Sequence, residues 1–192
     1  MSVLLYIHGF LSSPASEKAQ QVATWCEQHQ PSIKYLCPAL SAYPDDAIST
    51  LEGIVRSHRS EPIYIIGSSL GGFYATYLVE KYGLKAVLVN PAIRPFELIK
   101  AYIDTDLKNY HTEEVYRLNT THMESLRSIN VESLALPENY WLMAQTGDET
   151  LDYREAVKKY EHCLKTIEQG GDHSFQNFEQ WLPRIFDFFT AQ

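Results

Sequence analysis

The sequence predicts an α/β fold with a mostly parallel sheet of about six strands and helices on both faces. Short, unbroken apolar runs alternate with stretches whose apolar residues recur at helical spacing. Strands that are buried on both faces are continuously apolar, and parallel strands need helical crossovers between them. A pentapeptide of the form G-x-S-x-G at 67–71 lies between one apolar run and one helical stretch. These observations together define the fold class.

Six apolar runs are predicted to be strands. They are Val3–His8, Ile33–Cys37, Pro62–Gly67, Lys85–Asn90, Tyr140–Ala144 and Lys165–Gln169. Helices are predicted between and after them, from apolar spacing and from start and stop signals such as Ser13-Pro14 and Gly83. They cover Pro14–His29, Asp45–His58, Leu70–Tyr82, Tyr153–Leu164 and Phe175–Thr190. Pro183 lies inside the last of these and predicts a kink or a split there.

Residues 92–137 depart from this alternation. Helical pieces are predicted at Pro95–Asp104 and Thr112–Asn119, among several threonines, asparagines and histidines. We interpret the segment as a helical insertion over the carboxyl edge of the sheet, where ligands bind in open α/β folds. The whole chain, 1–192, is then expected to form a single domain, since its length suits one sizeable core.

Composition and charge exclude several classes of function. Hydrophobic residues make up 45% of the chain, yet no apolar run is long enough to cross a bilayer. The first residues lack a basic leader, which predicts a cytoplasmic protein with no membrane partner. The net charge of −8 and the lack of clustered Lys and Arg disfavour a nucleic-acid partner. No pattern predicts an oligomeric state.

The cysteines and glycines give no sign of a cofactor. Cys26, Cys37 and Cys163 are odd in number and widely separated, which argues against a disulfide framework and against a zinc site. We expect them to pack in or near the core. The loop at 8–13 does not have the G-x-G-x-x-G spacing of a dinucleotide site. No metal and no cofactor are therefore expected.

The pentapeptide Gly67-Ser68-Ser69-Leu70-Gly71 gives a candidate nucleophile. In a strand, sharp turn and helix context, the central serine of G-x-S-x-G is held in a strained backbone conformation at the end of a sheet. The flanking glycines allow the strand to fold back closely onto the helix. We therefore predict a nucleophile elbow with Ser69 as the nucleophile.

A serine hydroxyl needs a base to take its proton, and the base needs an orienting acid. Among seven histidines, only His173 follows the last predicted strand. Asp148 lies in the loop after the fifth strand, so the chain order is Ser, Asp, His, as this type of site requires. The alternatives to Asp148 are Glu149, Asp152 and Asp172. Asp152 is the strongest of them.

Two backbone N–H groups are predicted to form an oxyanion hole. One belongs to Leu70, the residue after the nucleophile, at the start of a helix. The other lies in the loop after the first strand, where Gly9 permits a tight turn; Phe10 is the candidate and Leu11 the alternative. His8 is expected to form a structural hydrogen bond beneath the site.

Taken together, these segments resemble the α/β-hydrolase superfamily and, more narrowly, the YqiA/YcfP-like esterases of bacteria. The resemblance covers nearly the whole chain and rests on five segments, at 5–10, 65–76, 88–95, 145–154 and 168–175. It implies a reduced hydrolase sheet without the leading antiparallel strands, since the first strand begins at residue 3. It also implies an esterase that acts on acyl esters or acyl-CoA thioesters through Ser69, Asp148 and His173.

The predicted function is a serine hydrolase that cleaves a small carboxylic ester or thioester through an acyl-enzyme. Apolar residues of the insertion are expected to shape the acyl pocket: Ile93, Phe96, Leu98, Ile99, Tyr102, Leu107, Tyr110, Val115, Tyr116, Leu118 and Met123. Arg94 and Lys100 either meet an anionic group or are solvated, and solvation is favoured. The alternative functions are an acyltransferase or peptidase with the same residues, and a non-catalytic ligand-binding protein of the same fold.

Overall fold

In a computed structural model that describes residues 1–191, one sheet of six parallel strands forms the centre of the molecule. The strands are β1 (Ser2–Ile7), β2 (Ile33–Leu36), β3 (Ile63–Ser68), β4 (Lys85–Val89), β7 (Tyr140–Gln145) and β8 (Leu164–Glu168), with β5 (Asp106–Lys108) and β6 (Val115–Arg117) in a separate antiparallel hairpin. The order across the main sheet is β2-β1-β3-β4-β7-β8. All five neighbouring pairs are parallel. The predicted six-stranded sheet is confirmed, and each strand lies within one residue of its predicted bounds.

Helices connect these strands. They are α1 (Glu17–His29), α2 (Pro44–Ser57), α3 (Leu70–Tyr82), α4 (Pro95–Leu98), α5 (Thr120–Ser128), α6 (Tyr153–Lys159) and α7 (Leu182–Thr190). The first begins three residues later than predicted, because Ser13 Oγ accepts the N–H of Ala15 in a turn before the helix. The C-terminal helix is split as predicted: a 3-10 turn at Phe178–Trp181 leads into α7, with Pro183 in its first turn.

The insertion differs from the prediction after residue 104, where the structure has the hairpin of β5 and β6 and then α5. The helix predicted for Thr112–Asn119 is wrong, since β6 occupies its centre. A helix starts only at Thr120, where Asn119 and His122 cap it reciprocally: each side chain accepts the backbone N–H of the other residue. The insertion therefore contains short helices and a two-stranded hairpin.

The core lies on both faces of the main sheet. Along β1, the side chains of Val3, Leu5 and Ile7 lie on the face of the sheet that α2, α3 and α6 cover. Leu4 and Tyr6 pack against the opposite face, which α1 and α7 cover. Because both sets of side chains are buried, β1 is apolar at every position from Val3 to Ile7 rather than at alternate positions.

The topology places a crevice at the carboxyl edge of the sheet. The chain leaves β1 towards β2 on one side and returns with β3 on the other side of β1. At such a reversal the loops diverge and leave room for a ligand. The loops after β1 and β3 begin with His8 and Ser69, and the insertion at 92–137 covers this edge.

Three negative findings apply to residues 1–191. No helix combines the length and the apolar character that crossing a bilayer requires. No group of three or more His, Cys, Asp or Glu side chains is arranged to hold a metal ion. Cys26, Cys37 and Cys163 are free thiols.

Candidate active site

Ser69 occupies a sharp turn between β3 and α3. Its φ of 55° and ψ of −120° lie in a region that residues with a side chain rarely adopt. Hydrogen bonds hold the turn on both sides: the N–H of Ser69 donates to the carbonyl of Val89 (3.0 Å), and the carbonyl of Ser69 accepts the N–H groups of Gly72 (2.9 Å) and Ala92 (3.0 Å). The strain is thus stabilised by contacts with the end of β4 and the segment that follows it.

The two glycines of the pentapeptide are required by close packing. A Cβ on Gly67 would lie 2.5 Å from the carbonyl oxygen of Gly71. A Cβ on Gly71 would collide with the carbonyl of Ile7 in β1. Neither position accepts a larger residue unless α3 moves away from the sheet.

The side chains of Ser69, His173 and Asp148 form a chain of hydrogen bonds. His173 Nε2 lies 3.1 Å from Ser69 Oγ, and His173 Nδ1 lies 2.8 Å from Asp148 Oδ2. With Nδ1–H donating to the carboxylate, Nε2 is left to accept the serine proton. The structure thus brings together three residues that come from the ends of β3, β7 and β8.

Asp148 is held as a buried carboxylate. Its side chain is only 2% exposed, and its Oδ1 accepts the N–H groups of Thr150 and Leu151, each at 2.8 Å. Burial alone would raise the pKa of Asp148, but the hydrogen bonds from His173, Leu151 and Thr150 outweigh burial and lower the pKa below its ordinary value. The carboxyl group is therefore ionised and fixed in orientation.

The three alternative acids have other partners. Asp152 accepts the N–H of Arg154 at the start of α6 and pairs with its guanidinium (2.7 Å). Glu149 accepts the backbone N–H of His173 (3.1 Å), and Asp172 accepts from the side-chain amide of Gln176 (2.8 Å). Among these acidic residues, only Asp148 bonds the imidazole.

The loop after β1 lies directly against the nucleophile. A Cβ on Gly9 would be 3.2 Å from the Cβ of Ser69. Leu70 is the first residue of α3, so its N–H has no intrahelical acceptor. Within residues 1–191, the N–H groups of Phe10 and Leu70 donate to no other protein group. Both remain available to an oxyanion on the substrate.

His8 holds this loop from below. Its Nδ1–H donates to the carbonyl of Gly9 (2.9 Å), and its Nε2 accepts the N–H of Leu40 (3.1 Å). Both bonds require the neutral imidazole, and burial lowers the pKa of His8. The ring acts as a structural support, in keeping with the expectation from the sequence.

Asn109, which the sequence reasoning missed, holds the same loop from above. This buried residue of the insertion donates through Nδ2 to the carbonyl of Ser12 (3.0 Å). The next residue, Tyr110, donates its N–H to the carbonyl of Leu11 (2.8 Å). The hairpin of the insertion is thus bonded to the loop that carries Phe10.

Asn90 and Gln145, also missed, anchor the loop of His173. Asn90 Nδ2 donates to the carbonyls of Asp172 and His173 (3.0 Å each), and its Oδ1 accepts the N–H of Gln145 (3.0 Å). Gln145 Oε1 accepts the N–H groups of Asp172 (3.1 Å) and Gln176 (2.8 Å). The available signal was a polar residue at the end of an otherwise apolar run, once after β4 and once in β7.

A cavity of about 1030 Å³ opens over Ser69 and His173. Five of the eleven apolar residues expected to shape it line this cavity: Leu98, Ile99, Tyr102, Leu107 and Tyr110. Arg94 lies outside it and pairs with Glu97 and Glu155, while Lys100 is exposed. A second cavity, of about 640 Å³, lies between α6 and residues 130–137 and contains neither Ser69 nor His173.

The fold is that of the α/β hydrolases. Est1E from Butyrivibrio proteoclasticus, solved with ferulic acid bound, matches with a TM-score of 0.76 at 15% identity, over 98% of this chain and 88% of that one. Alpha/beta hydrolase domain-containing protein 10 from mouse matches with a TM-score of 0.73 at 14% identity, over 96% and 89%. Such low identity establishes the likeness of fold alone.

The chain belongs to the family described as Uncharacterised protein family (UPF0227), which it matches over residues 3–190. A UPF0227 protein of Citrobacter koseri is 22% identical over 190 residues, which cover 98% of this chain and 99% of that protein. A UPF0227 protein of Shewanella woodyi is 26% identical over 197 residues, covering 97% and 98%. YcfP of Escherichia coli, 21% identical, is a further member. The resemblance to YcfP-like proteins is thereby confirmed.

Proposed function

We propose that this protein is a carboxylic ester hydrolase in which Ser69 is the nucleophile, His173 the general base and Asp148 the orienting acid. The observation that supports this proposal most directly is the continuous hydrogen-bond chain of 3.1 Å and 2.8 Å among these side chains. It lies at the floor of an open cavity, on a strained turn that presents the serine.

In the proposed reaction, Ser69 Oγ attacks the acyl carbonyl carbon while its proton passes to His173 Nε2. The negative charge on the carbonyl oxygen is received by the N–H groups of Leu70 and Phe10. His173 then gives the proton to the departing oxygen, which leaves an acyl-enzyme on Ser69. Water attacks that ester with His173 as base, and the acid departs while Ser69 recovers its proton.

Proteins with a similar fold include named esterases, which supports ester hydrolysis as the proposed chemistry. Est1E was solved with ferulic acid bound, and an esterase domain of Rhodothermus marinus has the same fold. Thioesters form a second class of substrate for the same mechanism, because a thiolate departs in the same way as an alkoxide.

We also propose that residues 1–192 form one domain, since the insertion packs on the same core as α2 and α3. A single calorimetric transition is expected.

Labelling by a fluorophosphonate tests the proposal. The wild-type protein should gain one adduct by intact mass and lose its activity on a short-chain ester in parallel. Ser69→Ala should gain none and should hydrolyse the ester at least about 10⁴-fold more slowly. The matched control is Ser128→Ala, an exposed serine on α5, which should behave as wild type.

Hydrolysis that persists unchanged in folded Ser69→Ala would refute the proposal. A labelled serine with no ester hydrolysis would instead favour the acyltransferase or peptidase alternatives. Adding an alcohol acceptor separates the former, because the acyl group would then appear on the acceptor rather than as free acid. A protein that neither labels nor turns over an ester or peptide would be a binding protein on this fold.

A further inference from the structure

The cavity over Ser69 has two walls of opposite chemistry. One wall comes from the insertion and is apolar: Leu98, Ile99, Tyr102, Leu107 and Tyr110. Three of these side chains, Leu98, Tyr102 and Tyr110, are 46%, 50% and 74% exposed. The other wall comes from the start of α1 and from the segment after β8. Phe175 and Phe178 are part of it, but its charged and amide side chains make it mainly polar: Glu17, Lys18, Gln21, Asp172 and Glu179.

The polar wall offers mostly acceptors. Glu17 and Glu179 present exposed carboxylates, and each accepts one bond from Gln21 Nε2 (3.3 Å and 3.4 Å), which leaves further acceptor capacity. The ammonium of Lys18 donates to the carbonyl of Ser174 (2.6 Å), so part of its donor capacity is used within the protein. Gln21 Oε1 and Asp172 Oδ1 are buried at this wall, and neither has a donor among residues 1–191. The wall thus carries three carboxylates against one ammonium.

The chemistry of the reaction orients the substrate between the walls. His173 must protonate the departing oxygen, so the leaving group lies on the side of His173. The segment that follows His173, up to Glu179, forms part of the polar wall. The leaving group therefore faces acceptors and negative charge. The acyl group faces the apolar residues of the insertion.

We propose that the site takes esters of an apolar acid with a neutral, hydroxyl-bearing alcohol, and that it disfavours polyanionic leaving groups such as coenzyme A. This inference rests on the proposed ester hydrolase function. Hydroxyl groups of the alcohol donate to the acceptors of the polar wall. Phosphates approaching the same wall meet its carboxylates, in a chain whose net charge is −8.

Two matched pairs of substrates with one butanoyl group test this inference. In the first pair, the glycerol monoester should have a kcat/KM about tenfold above that of the methyl ester, because only glycerol supplies further donors. In the second, the neutral N-acetylcysteamine thioester should be cleaved about tenfold faster than the coenzyme A thioester, although the scissile bond is the same. Raising the salt concentration to about 1 M should reduce the difference in rate between the two thioesters, since salt screens exposed charges.

Charge variants test whether the carboxylates of the polar wall cause the preference for the neutral thioester. The double variant Glu17→Gln, Glu179→Gln should reduce the ratio of kcat/KM between the neutral thioester and the coenzyme A thioester about threefold or more. The matched control is Glu27→Gln, an exposed acid on the same helix α1 but outside the cavity lining, which should leave the gap as it is.

The outcomes separate this inference from the proposed function. If Ser69 is labelled and the butanoyl esters are hydrolysed, but coenzyme A thioester is cleaved as fast as the neutral thioester, the inference is wrong and the hydrolase remains. Equal rates on the glycerol and methyl esters would also overturn it. If no ester or thioester is cleaved, the proposed function fails and the inference falls with it.

Discussion

The carboxyl edge of the sheet and the insertion at 92–137 build the same cavity by different means. At the sheet edge, Ser69 and Asp148 follow β3 and β7, whose residues are almost all buried on both faces, and His173 follows the partly exposed edge strand β8. The insertion instead presents exposed aromatic residues and is joined to the loop after β1 by a few hydrogen bonds, such as that of Asn109. The comparison indicates that changes at the sheet edge should abolish chemistry, whereas changes in the insertion should reduce rate or alter selectivity.

Among changes at the sheet edge, Asp148→Asn is expected to have the largest effect on catalysis. The amide cannot hold the imidazole in the tautomer that accepts the serine proton, so kcat should fall about 10⁴-fold. Initial rates on a short-chain ester measure the loss. Asp152→Asn is the matched control, because Asp152 pairs with Arg154 and not with His173. An equal loss in both variants would contradict the assignment of Asp148.

Asn90→Ala should give the next largest effect. This variant removes the donor to the carbonyls of Asp172 and His173, so the His173 loop should lose its position. We expect kcat to fall about 10- to 100-fold with little change in KM, and the free energy of unfolding to fall by about 1–3 kcal/mol. The rate of fluorophosphonate labelling should fall with kcat, which a purely structural loss in a still-folded protein would not produce.

Asn130→Ala is the comparison for Asn90→Ala. Asn90 is buried and Asn130 is partly buried, but Asn130 lines the second cavity, away from His173. Its replacement should leave the labelling rate of Ser69 as in wild type. If both variants slow labelling equally, Asn90 has no special role in positioning His173.

The sequence predicted the sheet edge better than it predicted the insertion, and the reason is physical. β1 from Val3 to Ile7 and β4 from Ala86 to Val89 are continuously apolar because both of their faces are buried, and α3 follows its strand within one residue. The place of each predicted site residue then follows from topology, since the ends of parallel strands share one edge. The role of these residues in catalysis stays a prediction.

The hairpin of the insertion carries no comparable signal. β5 and β6 have three residues each, which is too few to show a period of two. The threonine and two glutamates at 112–114 resemble a helix start, yet Asn109 instead accepts the N–H groups of His111 and Thr112 and closes a turn. Asn90, Gln145 and Asn109 were missed for a related reason: each acts through backbone groups that come close only in the folded chain.

Asn109→Asp tests the link between the insertion and the sheet edge. The carboxylate keeps an acceptor for His111 and Thr112 but loses the donor to the carbonyl of Ser12. We expect a 3- to 10-fold fall in kcat, because the loop that carries Phe10 would be held less firmly and one oxyanion donor misplaced. Asn119→Asp, at the cap of α5, is the control. An unchanged kcat would show that the hairpin does not position this loop.

The smallest expected effect concerns the pH dependence of stability at His8. Burial lowers the pKa of His8, and its hydrogen bond to Gly9 offsets this only in part. Below the ordinary histidine pKa of about 6.5, the unfolded chain therefore binds a proton that the folded chain does not. Stability contributed by neutral His8 is present above that pH and is lost as the pH falls, at no more than about 1.4 kcal/mol per pH unit for one proton.

Urea unfolding of wild type and His8→Gln between pH 5 and 8 measures this pH dependence of stability. The variant should be less stable at pH 8 but should lose less stability on acidification, and equal slopes in the two proteins would refute the neutral state of His8.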